Sequence, residues 1–202
     1  MKKTQNRIIS PHAGWRLCLY VMLVMFASCK SCKKEINLLP DETQTGANTF
    51  GCLVDGKAWI PDPGGSGAIG SKPINGGYLN APIGAPASYG NNNVWLRIYQ
   101  DNATISFYIR NVDRVGTYPL NFYNQPEPAS FYPQNYGEFV NYYTGGADFY
   151  MTNSTYTGSV EITRADRPNA ILSGRFSFTG VSSTGKTIKV TDGRFDINQR
   201  TQ

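Results

Sequence analysis

The chain has 202 residues, 40% of them hydrophobic and 16% charged, with a formal net charge of +5 and a single histidine, His12. That length supports one domain with a substantial core and is short for two. The cations are scattered singly instead of clustering on one face, which speaks against a nucleic-acid reader. One histidine near the start leaves the rest without the imidazoles that Ser-His-Asp, Cys-His and most zinc or iron sites use.

Residues 17–27, Leu-Cys-Leu-Tyr-Val-Met-Leu-Val-Met-Phe-Ala, form an uncharged apolar run behind Lys2, Lys3, Arg7 and Arg16. Eleven residues fall short of the ~18 needed to span a bilayer, so the pattern is that of a secretory signal peptide. The run ends in Phe26-Ala27-Ser28-Cys29, which resembles a bacterial lipobox. The resemblance implies cleavage before Cys29, acylation of that cysteine, and a membrane anchor in the cell envelope, expected at the outer membrane. Phe26 departs from the usual aliphatic residue, and Cys32, two places after Lys30, is the poorer acceptor. Loss of residues 1–28 removes His12 and four cations and leaves 15 Lys and Arg against 14 Asp and Glu, so the mature chain is near neutral. Cys32 and Cys52 then remain, as a disulfide in an oxidising compartment or, on the blander reading, with Cys52 buried in the apolar run Phe50-Gly51-Cys52-Leu53-Val54.

Residues 29–48 show neither hydrophobic period and read as a flexible tether, leaving 49–202 as a single domain. The domain opens with Thr49-Phe50-Gly51-Cys52-Leu53-Val54, then Asp55-Gly56, then Lys57-Ala58-Trp59-Ile60, a two-residue hairpin signal. Residues 61–93 are rich in Gly, Pro, Ser and Asn and read as a long loop with one short strand near Tyr78-Leu79. Within it Gly65-Ser66-Gly67-Ala68-Ile69-Gly70 matches G-x-G-x-x-G, but Lys72-Pro73 and Gly76-Gly77 forbid the helix a dinucleotide would need. Val94, Leu96 and Ile98 alternate with Trp95, Arg97 and Tyr99, and Ile105, Phe107 and Ile109 repeat the pattern after Asp101-Asn102. These two strands should pair with one buried face and leave Arg97 and Arg110 outside. A short strand is expected at Gly116-Thr117-Tyr118-Pro119-Leu120.

Residues 118–156 hold 12 Phe and Tyr residues. Strands near 139–143 and 147–151 fit its second half. Tyr132, Tyr136, Tyr142, Tyr143 and Tyr150 are the candidate ligand-binding residues, since aromatic faces cover the apolar face of a sugar ring, with loop 61–93 as a rim. The plainer alternative packs these rings under a loop with their hydroxyls at the surface.

Residues 158–164 and 171–178 alternate about the turn Asp166-Arg167-Pro168-Asn169, and 187–191 lead through Asp192-Gly193 to 194–197. Ile188 and Val190 have one parity and Phe195 and Ile197 the other, which calls for a bulge at Asp192-Gly193. Gly180-Val181-Ser182-Ser183-Thr184-Gly185-Lys186-Thr187 matches G-x-x-x-x-G-K-T, yet a β-branched strand follows where a phosphate loop needs a helix, so no nucleotide is expected. The fold expected is all-β, an antiparallel β-sandwich or flattened barrel of about 8–10 strands, with little or no helix outside the signal peptide.

The stretches Thr43-Gln44-Thr45-Gly46-Ala47-Asn48-Thr49-Phe50-Gly51-Cys52-Leu53-Val54-Asp55-Gly56-Lys57, Ile171-Leu172-Ser173-Gly174-Arg175-Phe176-Ser177-Phe178 and Asp192-Gly193-Arg194-Phe195-Asp196 resemble uncharacterised Bacteroidota envelope lipoproteins with a domain of unknown function. The resemblance implies a location and a β architecture and carries no catalytic residues. The expectation is therefore a membrane-anchored envelope lipoprotein, a non-enzymatic binding or structural module without cofactor, whose partner is a glycan or an envelope protein. The alternative is a carboxylate-dependent glycan hydrolase drawing on Asp113, Glu127, Glu138 and Asp148. Calcium held by Asp101, Asn102, Asp192 and Asp196 is a weaker reading, because no Asp-x-Asp-x-Asp-Gly loop is present.

Overall fold

Asp55 and Gly56 both take positive φ, 48° and 79°, and so close the two-residue hairpin between β1 (Thr49–Val54) and β2 (Lys57–Trp59). The computed structural model describes residues 35–61, 72–80, 90–123 and 133–202. Cys29, Cys32, Glu127, Tyr132 and the Gly65–Gly70 motif lie outside them. Further strands are β3 (Ile74–Leu79), β4 (Asn93–Gln100), β5 (Ala103–Ile109), β6 (Gly116–Leu120), β7 (Tyr136–Tyr143), β8 (Gly146–Met151), β9 (Gly158–Asp166), β10 (Ile171–Val181) and β11 (Thr187–Asn198). Every pairing is antiparallel. The strands form one curled half-barrel sheet in the order β2-β1-β11-β10-β8-β7-β5-β4-β3, with β9 and β6 branching from β10. The expected all-β class holds, with 11 strands among the described residues.

The concave side is the core. Val94, Leu96 and Ile98 of β4 face Ile105, Phe107 and Ile109 of β5, all at 0% exposure. Phe107 lies 5.4 Å from Phe176 and 5.5 Å from Phe195, and Phe50 lies 5.0 Å from Phe176, so rings from four strands meet at the centre. The β11 pairings slip at Asp192-Gly193, where Asp192 has φ 54°, and Ile188 and Val190 before the slip and Phe195 and Ile197 after it are all buried. A Cβ on Gly193 would stand 2.5 Å from the Phe176 ring, so this position has room only for glycine. The Gly180–Thr187 motif is a hairpin loop: Ser182 N–H donates to the Lys186 carbonyl at 2.8 Å, between β10 and β11.

Two elements differ from expectation. β5 is buried on both sides, with Thr104, Ser106 and Tyr108 on its convex face at 5% exposure or less. Alternation reports which side of a strand is apolar and does not report whether the other side is covered. Residues 35–48, expected within the tether, are held against the sheet as a strap. Leu39 is buried, Pro40 sits over Gly51, and Glu35 accepts the Ala58 N–H of edge strand β2 at 3.0 Å. At the other edge the Gln199 carboxamide accepts from Tyr78 N–H at 3.1 Å and donates to its carbonyl at 3.2 Å, occupying both backbone groups of one β3 residue.

The strap is fastened by Asp196, which is fully buried. Its carboxylate accepts from the Thr43 hydroxyl at 2.6 Å, the amides of Thr45, Gly46 and Ala47 at 2.9 to 3.1 Å, and the Ser173 hydroxyl at 2.7 Å. Burial alone would raise its pKa, but the bonds from Thr43, Ala47, Ser173 and Gly46 outweigh it and bring the pKa to about 2. A depressed carboxylate pKa stabilises the fold fully above the unfolded value near 3.8 and loses that contribution as pH falls through the folded value. The expected loss is about 2 kcal/mol between pH ~4 and ~2. Asp196→Asn should cost about 2–4 kcal/mol at neutral pH, because an NH2 then faces amide donors, and should flatten this part of the profile. Denaturant titrations of both proteins across that range check it; equal slopes would refute the role of Asp196. Urea unfolding should show Phe107→Ala costing about 3–5 kcal/mol and Val115→Ala, at an exposed site, less than about 0.5 kcal/mol.

Candidate functional site

Parity separates the expected tyrosines. Along β7, Tyr136, Glu138, Val140 and Tyr142 share the convex face, whereas Phe139 and Tyr143 take the other. Tyr136 is 6% exposed and stacks on Tyr108, with centroids 6.2 Å apart and planes 7° apart. Tyr150 pairs with Phe139 across β7 and β8 and packs against the core. Only Tyr142 and Tyr143 among the four described are exposed, at 43% and 54%, and they project from opposite faces of one hairpin. The four do not make one ring-facing platform. The physical reason is that aromatic composition is blind to the two-residue period that assigns each ring a side.

The hydrolase candidates are also apart. Glu138 on the convex face accepts from the Ser106 hydroxyl at 2.6 Å and lies 3.9 Å from the Arg97 guanidinium, which in turn stands over Trp95 at 5.4 Å. Asp148 pairs with Asn141 and so faces the opposite side of β8 from the residues beside Glu138. Asp113 is in the loop after β5, where it accepts from Asn92. Arg97 thus lies on the outer face, as expected, and is held there between Glu138 and Trp95.

The structure instead assembles a polar cleft that sequence reasoning missed. On the outer side of β9, β10 and β11, Arg175 stands directly opposite both Glu161 and Arg194. Like charges placed opposite one another repel, and two carboxylates offset this. Glu42 of the strap meets Arg175 at 2.6 and 2.8 Å through two nitrogens, and Glu161 approaches it at 3.3 Å. Arg194 donates to the Pro40 carbonyl at 3.3 Å, while its Nε is buried without a hydrogen-bond partner. These groups, with Ser159, Ser177 and Asp192, line a cleft of about 390 Å³, and Thr43, Gln44 and Thr163 line a smaller hollow beside it.

Chemically the cleft offers guanidinium donors, carboxylate acceptors and hydroxyls to a polar ligand. It is poorly suited to proton donation, because a glycosidase acid needs a raised pKa and the hydrogen bond from Arg175 lowers that of Glu42. The alternation of β10 and β11 is the signal that could have placed Arg175 and Arg194 outward. Glu42 carried no local signal, since its place depends on the Asp196 clasp. The calcium candidates do not gather: Asp196 is filled by protein donors, and among the described residues no three His, Cys, Asp or Glu side chains group to hold a metal ion. Cys52 is buried with a free thiol.

No curated protein and no solved structure matches the chain. A family model described as a domain of unknown function (DUF6252) matches residues 83–196, running from before β4 to Asp196 itself. The match takes in Arg175, Arg194 and the bulge but leaves out the strap. Because it covers more than half of the sequence, the chain belongs to this family, DUF6252, a domain of unknown function.

Proposed function

We propose that the chain is an acylated envelope lipoprotein, with residues 1–28 as a cleaved signal peptide, Cys29 as the lipid-bearing N-terminus, and the β domain as a non-enzymatic binding or structural module. One observation carries this reading: an uncharged run at 17–27, too short to span a bilayer, stands between a basic front and Phe26-Ala27-Ser28-Cys29. The resemblance of residues 43–57, 171–178 and 192–196 to Bacteroidota envelope lipoproteins, read from the sequence, favours the outer membrane as the location. A lipobox-type modification adds several acyl chains, and more than one chain is what stable anchoring requires.

The polar cleft of Glu42, Glu161, Arg175 and Arg194 favours binding over hydrolysis, because the hydrogen bond from Arg175 lowers the pKa of Glu42 and the cleft presents guanidinium donors and carboxylate acceptors to a ligand's polar groups. A glycan or the polar surface of an envelope protein fits that chemistry. Metabolic labelling with a fatty-acid analogue tests the anchor. Label should enter the native chain and Cys32→Ser equally and be absent from Cys29→Ala; label persisting in Cys29→Ala would overturn the assignment.

A further inference from the structure

Four turns of the domain lie at one end of the sheet. Val54 pairs with both Lys57 and Val190, which sets the β1–β2 turn beside Lys189 and the β10–β11 turn. Val181 pairs with Met151, so β8 and its hairpin with β7 extend past that same end. Tyr142 N–H donates to the Asn102 carbonyl at 2.7 Å and joins the β4–β5 turn to the group, and Tyr99 N–H donates to the Pro73 carbonyl at 2.9 Å, bringing Lys72 alongside. Exposed Lys57, Lys72, Lys186 and Lys189 therefore share this end with exposed Asp55 and Asp101, and Lys30, Lys33 and Lys34 precede the strap in sequence.

Glu35, the first described residue of the strap, has its carboxylate fixed to Ala58 of β2, one residue from Lys57. Six residue steps separate Cys29 from Glu35, a reach of about 20 Å at full extension, against about 65 Å had the leash run to Thr49. β11, 12 residues long, measures about 40 Å. A leash of that reach, attached near the turn end, holds that end within about 20 Å of Cys29, half the length of β11.

From this we propose that the turn end of the sheet is a membrane-docking surface, with Tyr142 and Tyr143 seated among lipid headgroups and Lys57, Lys72, Lys186 and Lys189 against anionic ones. The placement rests on Cys29 being the acylated residue. Tyrosine suits a boundary that is apolar on one side and wet on the other, and lysines close to an anionic leaflet gain attraction. The opposite facing of Tyr142 and Tyr143, which prevents a flat sugar platform, fits a hairpin tip surrounded by headgroups on both sides.

The test uses the acylated full chain carrying Cys32→Ser, reconstituted in phosphatidylcholine vesicles containing phosphatidylglycerol. Nitroxide labels are placed at Thr144→Cys in the β7–β8 turn and, at the far end, at Pro168→Cys in the β9–β10 turn. A membrane-bound paramagnetic relaxant should relax the Thr144 label several-fold more than the Pro168 label, and less strongly when phosphatidylglycerol is omitted. Equal relaxation at the two sites, or the reverse order, would sink the docking surface even where the protein floats with the vesicles. Relaxation indifferent to phosphatidylglycerol removes the role given to the lysines. Flotation that persists in Cys29→Ala brings down the anchor reading and this proposal together.

Discussion

A buried carboxylate must be surrounded by donors where no cation pairs with it, and Asp196, which has no ion pair among the described residues, meets that condition by recruiting a distant piece of chain. The bulge at Asp192-Gly193 turns Phe195 and Ile197 into the core, and the same parity sends Asp196 to the outer side, opposite Ser173. There the amides of Thr45, Gly46 and Ala47 converge on it as a nest of backbone donors, and the Thr43 hydroxyl completes the shell. Once residues 43–47 are pinned, Glu42 lies beside Arg175 and Pro40 beside Arg194 and Gly51. The placement of Glu42 and Pro40 at the cleft thus depends on one acceptor on β11.

Much of the sheet was legible because its signals are short-range. Asp55-Gly56 announces its turn through the positive φ it must adopt, and the alternations of β4, β5, β10 and β11 announce their core faces. The bulge was readable too, as a conflict of parity between Val190 and Phe195 that only an inserted residue resolves. What stayed hidden depended on partners far apart in sequence. The strap has no hydrophobic period because it is held mainly by hydrogen bonds and ion pairs, and its fastener is about 150 residues away, as the separations of Thr45 and Gly46 from Asp196 show. The tyrosines were visible as a composition but not as a surface, since neither the Tyr108–Tyr136 stack nor the inward turn of Tyr150 follows from counting rings.

The phosphate-loop look-alike makes the same point from the other side. Glycine-rich spacing in Gly180–Thr187 satisfies a hairpin loop, in which Gly185 supplies a φ of 81° and Lys186 returns a carbonyl to Ser182. A motif acquires its chemistry from the element that follows it, and here that element is a strand.

The strap also changes what weak surface contacts can accomplish. A long flexible tether dilutes the domain through a large volume above the bilayer, so lateral contacts would have to order it unaided. With Cys29 as the proposed anchor, a short leash would hold the same surface at millimolar effective concentration, where a few contacts, each too weak to bind alone, suffice to set an orientation. Two tyrosines and several lysines are contacts of that kind, individually modest and open to screening by salt. Orientation would then place the cleft of Arg175 and Arg194, whose strands run up from the turn end, on the flank of the domain. A ligand or envelope protein could meet it there without competing with the membrane.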